Sequence, residues 1–215
     1  RALERADIVL AVQEDDATYF RRITDNKKNV ITFPFIPSYN AAGRKHISSS
    51  DKIMDIGYLA SSNPPNYFAI KKLIKVIRLF IAGSICEMIS ELEIAKNVVL
   101  LGKIDDLKKF YDSYDVYVNP DVFYSGMKCK TLEALSYGVP IVCTKVAATG
   151  LGLEKKYHLL DDEQACGEYL ISLAKKGQEE RKEIFNDMKL ESENRYWKFN
   201  EKYPIETLIE KVLLD

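Results

Sequence analysis

Short apolar runs alternate with amphipathic stretches along most of the chain. Residues 7–12 (DIVLAV) form a continuous apolar run behind an acid, as a strand buried on both faces would. The stretch Glu14–Ile23 predicts a helix with Ala17, Phe20 and Ile23 on one face, and 29–35 (NVITFPF) predicts a second strand halted by Pro34 and Pro37. Residues 38–52 are polar, with Gly43 and four serines, and read as a linker. The alternation then resumes. Strands are predicted at 53–59, 79–82, 97–101, 115–119 and 140–144, with a short one at 157–160. Helices are predicted at 67–77, 85–94, 106–114 and 128–137, and from about 163 onward with Gly177 and Pro204 as breakers. Strands separated by helices predict βαβ units, hence an α/β, Rossmann-like parallel sheet with helices on both faces. One junction is abrupt: the helix through Ile77 meets the strand at 78–82 without turn residues, where such connections usually take about 2–6. A connecting loop missing from the sequence near 75–79 is the expectation.

Composition narrows the function classes. The 215 residues carry 31 Lys+Arg against 32 Asp+Glu, a net charge of -1, so the basic excess of a phosphate-neutralising nucleic-acid binder is absent and no nucleic-acid partner is expected. No apolar run reaches the roughly 20 residues of a membrane helix and no signal-peptide pattern opens the chain. Cys86, Cys129, Cys143 and Cys166 are widely spaced and form no Cys-x-x-Cys, which predicts free thiols in a reducing, cytoplasmic compartment. His46 and His158 show no ligand spacing and there is no Asp-x-Asp, so no metal site is expected. The chain begins at Arg1 in what reads as the middle of an element, and a fragment of a larger protein is the expectation.

In an open parallel sheet, ligands bind outside the carboxyl ends of the strands. The richest of the loops there is 119–130, where a strand ends at Pro120 and Ser125-Gly126 is expected to open a helix. Ser125 would be its cap, and Gly126 would let a ligand approach the backbone. The positive end of that helix, with Lys128 and Lys130 in the same turn, suits a diphosphate. Glu133, three residues beyond Lys130, could accept two hydroxyl hydrogen bonds from a ribose cis-diol. The plain alternatives are solvated lysines and an acid that merely favours a first helical turn.

The block from Gly126 to Thr144 (GMKCKTLEALSYGVPIVCT), followed by Thr149-Gly150-Leu151, resembles the donor-site motif of GT-B glycosyltransferases, family 4 in particular. In order with it, 53–59 (IMDIGYL) resembles the first strand and loop of their C-terminal domain, and 63–66 (NPPN) the start of its first helix. Residues 1–37 resemble the last strand-helix-strand of the N-terminal domain, so the likeness covers nearly all of the chain. The resemblance implies the C-terminal half of a GT-B fold. It divides the chain into an N-terminal (acceptor-domain) remnant at 1–37, the linker at 38–52, a nucleotide-sugar donor domain at 53–200, and a helix at 201–215 returning toward the N-terminal domain.

The implied function is transfer of a sugar, with retention, from a nucleotide-diphospho-sugar to a glycan or lipid-linked acceptor in polysaccharide biosynthesis. It implies no metal or other cofactor, and peripheral membrane association of the full-length protein is compatible with it. As a fragment, the chain would bind donor and be incomplete for catalysis, so no catalytic residue is assigned. The donor-binding residues carried over are Gly57, Ser61, Asn63, Ser125, Gly126, Met127, Lys128, Lys130, Thr131 and Glu133. Two departures stand out. Ser125 occupies the place of the first Glu of the family's Glu-x7-Glu motif, whose second is Glu133. Ser61, Ser62 and Asn63 occupy a loop that commonly carries an Arg or Lys for the diphosphate, a charge Lys128 or Lys130 would have to replace. A non-catalytic nucleotide-binding or interaction module of the same fold, and a nucleotide-sugar epimerase, are the alternatives.

Overall fold

The computed structural model describes residues 2–41, 54–75, 77–90, 96–123 and 126–214. It opens with α1 (Ala2–Arg5), β1 (Ile8–Ala11), α2 (Glu14–Ile23) and β2 (Asn29–Thr32). There follow β3 (Ile56–Leu59), α3 (Pro64–Lys71), β4 (Leu79–Ala82), α4 (Ile85–Ile89), β5 (Val98–Gly102), α5 (Leu107–Asp112), β6 (Val116–Asn119), α6 (Cys129–Ser136) and β7 (Ile141–Cys143). Three helices close the chain: α7 (Glu163–Ala174), α8 (Gln178–Lys202) and α9 (Ile205–Leu214). No described helix is long and apolar enough to cross a membrane.

The strands form two parallel sheets, β1-β2 and β5-β4-β3-β6-β7. Side chains alternate across the larger sheet. Val116 and Val118 pack into one core with Ile56, Ile70, Leu79, Ile81 and Leu170. Tyr117, between them, packs into the other with Phe110, Tyr111, Leu132, Leu135 and Tyr196. Both faces are therefore covered, α3, α4, α7 and the first half of α8 contributing to the first core and α5, α6 and the second half of α8 to the second. The chain builds outward from β3 to β4 and β5, then returns to place β6 against the other side of β3. The strand order thus reverses between β3 and β6, and a crevice opens at their carboxyl ends.

The sequence-predicted elements are present with local differences. Beyond α3 the backbone tightens into a 3-10 turn at Leu73–Lys75, and the Ile77 N–H donates back to the Leu73 carbonyl at 3.4 Å. Val76, at the centre of the abrupt junction, lies outside the described residues. Ile70, Leu73, Ile74 and Ile77 are all buried, as their spacing requires. The strand expected at 157–160 is instead a 3-10 turn, Lys156–His158, with a single bridge between Thr144 and Leu160. Asp162 must already cap α7 there by accepting from the Ala165 N–H at 2.8 Å, so the chain turns before a ladder can extend. The linker is not loose at its start. Tyr39 packs on Tyr196 and Trp197, with ring centroids 5.5 and 4.8 Å apart, and the Asn40 N–H donates to the Ser136 carbonyl at 2.8 Å. Residues 42–53, and 91–95 at the predicted end of the fourth helix, lie outside the described residues.

Gly83 closes β4 at φ +93°, and a Cβ there would stand 2.2 Å from the Ala60 carbonyl oxygen. The same carbonyl accepts from the Ile85 N–H at 3.3 Å, which leaves it little freedom to retreat. Gly83→Ala should lower unfolding stability by about 2 kcal/mol, read as a reduced urea midpoint at unchanged slope. An unaltered midpoint would show that the turn yields freely.

Candidate functional site

The crevice between β3 and β6 is a cleft of about 250 Å³ lined by Ser61, Asn63, Pro65, Asn66, Asn119, Asp121, Met127, Lys128, Cys129 and Lys130. One wall is the β3–α3 loop. Asn63 caps α3 by accepting from the Asn66 N–H at 2.9 Å, and Pro64 and Pro65 pre-set the first turn. The Asn66 side chain then points back. Its Nδ2 donates to the Ser61 carbonyl at 2.8 Å, so its Oδ1 faces out and accepts from Lys130 Nζ at 2.5 Å.

The opposite wall is the β6–α6 crossover. α6 starts at Cys129, with Lys128 at the cap position and no side-chain cap bond, so the helix begins later than a Ser125 cap would have set it. Ser125 itself lies outside the described residues. Gly126 is exposed at φ +57°, with nothing within 4 Å of where its Cβ would be. The first turn of α6, including Cys129 and Lys130, abuts the cleft, and the positive end of the helix adds to its potential.

The two lysines differ. Lys128 is buried, its Nζ donating to the Phe123 carbonyl at 3.0 Å and lying 3.9 Å from Asp121 Oδ2, so it braces the 121–123 loop. Lys130 has no carboxylate within salt-bridge distance among the described residues. Its ammonium meets the neutral Asn66 amide and hangs 5.8 Å above the Tyr58 ring centre. Burial holds its pKa below the ordinary lysine value, against the pull of Asp121 and with the push of Lys128. With one N–H on Asn66, two donors remain for a ligand.

Of the other sequence-predicted residues, Ser61, Asn63 and Met127 line the cleft. Thr131 is buried beneath it, donating to the Ala147 carbonyl and accepting from Asn119 Nδ2, both at 2.8 Å. Gly57 lies inside β3 rather than in the loop after it; its missing Cβ makes room for Tyr114, whose Cδ2 would be 2.8 Å away. Glu133 does not line the cleft. It sits half-buried beside Tyr111, whose hydroxyl donates to Oε2 at 3.4 Å, within a group that includes Tyr117 and Tyr137. Burial raises its pKa, and the Tyr111 hydrogen bond pulls it partly back. The Tyr117 hydroxyl donates to the Leu59 carbonyl at 3.1 Å, so this tyrosine cluster reaches the carboxyl end of β3, one step along from the cleft.

Sequence reasoning missed Asn66, Asn119, Asp121 and Cys129 as lining residues. Asn119 and Asp121 flank a proline directly after a strand, a signal that could have found them. Cys129 is exposed, whereas the other three cysteines are buried. Among the described residues no group of His, Cys, Asp and Glu could hold a metal ion. A smaller cleft of about 100 Å³ shares Met127 and Lys128 with the first. It lies between the β1–α2 turn (Val12, Gln13, Glu14, Asp15) and Thr149, Gly150, Phe199 and Lys202.

Residues 67–176 match the sequence profile of the glycosyl transferases group 1. No curated protein matches the chain. Among solved structures, HepE from Anabaena in complex with UDP and glucose superposes with a TM-score of 0.68 at 15% identity, over 99% of this chain and 63% of that one. A GtfA/B complex superposes with a TM-score of 0.65 at 15% identity, over 99% and 46%. A glycosyltransferase from Rickettsia africae gives 0.61 at 10% identity, over 95% and 64%. The chain therefore spans less than two thirds of the length of these structures, and shares with them the Rossmann-like fold of the GT-B C-terminal domain.

Proposed function

The chain belongs to the glycosyl transferases group 1, and on that premise we propose that its cleft binds a nucleotide-diphospho-sugar, whose sugar is transferred with retention to a glycan or lipid-linked acceptor. The observation that carries this reading is Lys130: a cation drawn out of water at a sheet switch point, without a carboxylate partner among the described residues and with donors to spare. A diphosphate supplies the missing counter-charge, and the amino end of α6 adds to its attraction. Lys130 thus provides from α6 the charge that the Ser61–Asn63 loop lacks.

Ser61, Asn63 and Met127 shape the same pocket, with Gly126 exposed just before Met127, while Lys128 holds its loop and Thr131 its floor. Glu133, held by Tyr111 near the carboxyl end of β3, is the proposed acceptor for the ribose hydroxyls. The smaller cleft toward the β1–α2 turn is where an acceptor would approach.

Donor binding is the activity to measure, because it needs no acceptor. Calorimetric titration with UDP, ADP and GDP and their hexose conjugates should give saturable binding by one base series, in the micromolar-to-millimolar range usual for enzyme substrates. The UDP found in HepE makes UDP the first probe. Absence of heat and of any thermal stabilisation with all three nucleoside diphosphates would overturn the reading.

A further inference from the structure

We propose that Asn119 is a specificity-determining residue of the cleft, its side-chain carbonyl accepting a hydrogen bond from a hydroxyl of the donor's sugar. The inference rests on the donor-site reading and adds to it the chemistry of the transferred group. Asn119 ends β6 at the point where the strand order reverses, is 1% exposed, and lines the cleft. Its amide has a fixed orientation. The Thr131 hydroxyl spends its hydrogen on the Ala147 carbonyl, so toward Asn119 it can only accept, and it takes the Nδ2 hydrogen at 2.8 Å. That leaves Oδ1 as a buried acceptor without a hydrogen-bond partner among the described residues. Native proteins rarely strand such a group, and because Asn119 lines the cleft a bound ligand can supply the partner.

The partner must bring a hydrogen. Ionised phosphoryl oxygens bring none and would be repelled by a carbonyl, so the diphosphate belongs at Lys130 and another part of the donor belongs at Asn119. Lys130 does not fill the gap itself, since its ammonium is turned to Asn66 and lies over Tyr58. The sugar follows the diphosphate directly and is rich in hydroxyl donors. Asp121, on the same wall, would repel an acidic sugar, so a neutral, hydroxylated hexose fits this wall better than a uronic acid.

The experiment titrates the wild type and Asn119→Leu with UDP, ADP and GDP, with UDP-glucose, ADP-glucose and GDP-mannose, and with the mono-deoxy analogues of whichever conjugate binds. One deoxy position should cost the wild type about ten- to hundredfold in affinity, because it leaves Oδ1 unpaired. In Asn119→Leu that penalty should vanish, and the conjugate should lose clearly more affinity than the bare nucleoside diphosphate does. Should the leucine variant fail to fold, the wild-type deoxy series together with Asn119→Ser decides the matter, the serine variant also losing the penalty. The proposal is overturned if every deoxy analogue binds the wild type like its parent, or if the variant weakens the bare diphosphate as much as the conjugate. Failure of all three nucleoside diphosphates to bind the wild type would instead remove the donor-site reading, and this inference with it.

Discussion

Lys130→Met should weaken binding of the preferred nucleoside diphosphate by roughly 10- to 150-fold, the worth of about 1.5–3 kcal/mol for hydrogen bonds to a charged group. The same substitution should leave the melting temperature unchanged or raise it. These opposite signs follow from one arrangement. The ammonium is desolvated, which holds its pKa down, yet among the described residues its hydrogen-bond partner is the neutral Asn66 amide. An ion kept from water without full compensation costs the free protein stability, and a methionine of similar length removes that cost. The ligand repays it, so the loss appears in binding alone.

Lys128→Met separates the two roles, because that side chain ties the Phe123 carbonyl and Asp121 into the loop. Its removal should lower stability and affinity together. A pH series adds a further check. Binding that needs the Lys130 ammonium fades as pH rises through a pKa depressed by burial, hence at lower pH than an ordinary lysine would give, and Lys130→Met should lack that limb. Equal affinities for the wild type and Lys130→Met would remove Lys130 from the site.

The fold was legible because its causes are local. Continuous apolar runs such as 79–82, set between helical stretches, suit strands covered on both faces, and the 70-73-74-77 spacing gives a helix one buried stripe. Where the sequence misled, competing local demands decided the outcome. The Tyr157–Leu160 run has strand composition, yet the cap of α7 follows so closely that one bridge is all the backbone can form. The site was only half legible, for a different reason. Its location follows from strand order, and strand order from the alternation of elements. Which side chains face the cleft depends instead on where α6 starts and how each side chain turns. Lys128 and Lys130 look interchangeable in sequence, but one turns inward to a carbonyl and the other outward over the cleft. Asn66 gains its part only through Ser61, which fixes the amide, and Asn119 only through Thr131. Glu133 is drawn toward Tyr111, 22 residues away in sequence, by a contact that joins two helices. No spacing rule encodes such pairings.

Acid should destabilise this protein from near pH 6.5 downward, and His158 should be a principal cause. The side chain is fully buried, and neither ring nitrogen has a hydrogen-bond partner among the described residues. Its ring stands edge-on to Tyr157 with centroids 4.4 Å apart. Burial first, then the nearby positive charges of Arg195 and Lys155, push its pKa down to about 3. The unfolded chain takes up the proton near pH 6.5, whereas the folded protein resists it until about 3. Across that interval the unfolded state binds more protons, so stability falls as pH falls. At about 1.36 kcal/mol for each pH unit, the full loss by pH 3 approaches roughly 4 kcal/mol, and about half of it is present at pH 4.5. Carboxylates paired in the fold, such as Asp161 with Lys145, add their own loss only at lower pH, because the bond to Lys145 holds the Asp161 carboxyl below its usual range. The two contributions are therefore separable. His158→Leu keeps the volume apolar and cannot be protonated, so its urea midpoint should hold nearly level between pH 6.5 and 4.5 while the wild type's declines. Parallel declines in the two proteins would mean that the imidazole finds a partner or a route to water in solution, and that acid sensitivity in this range arises elsewhere.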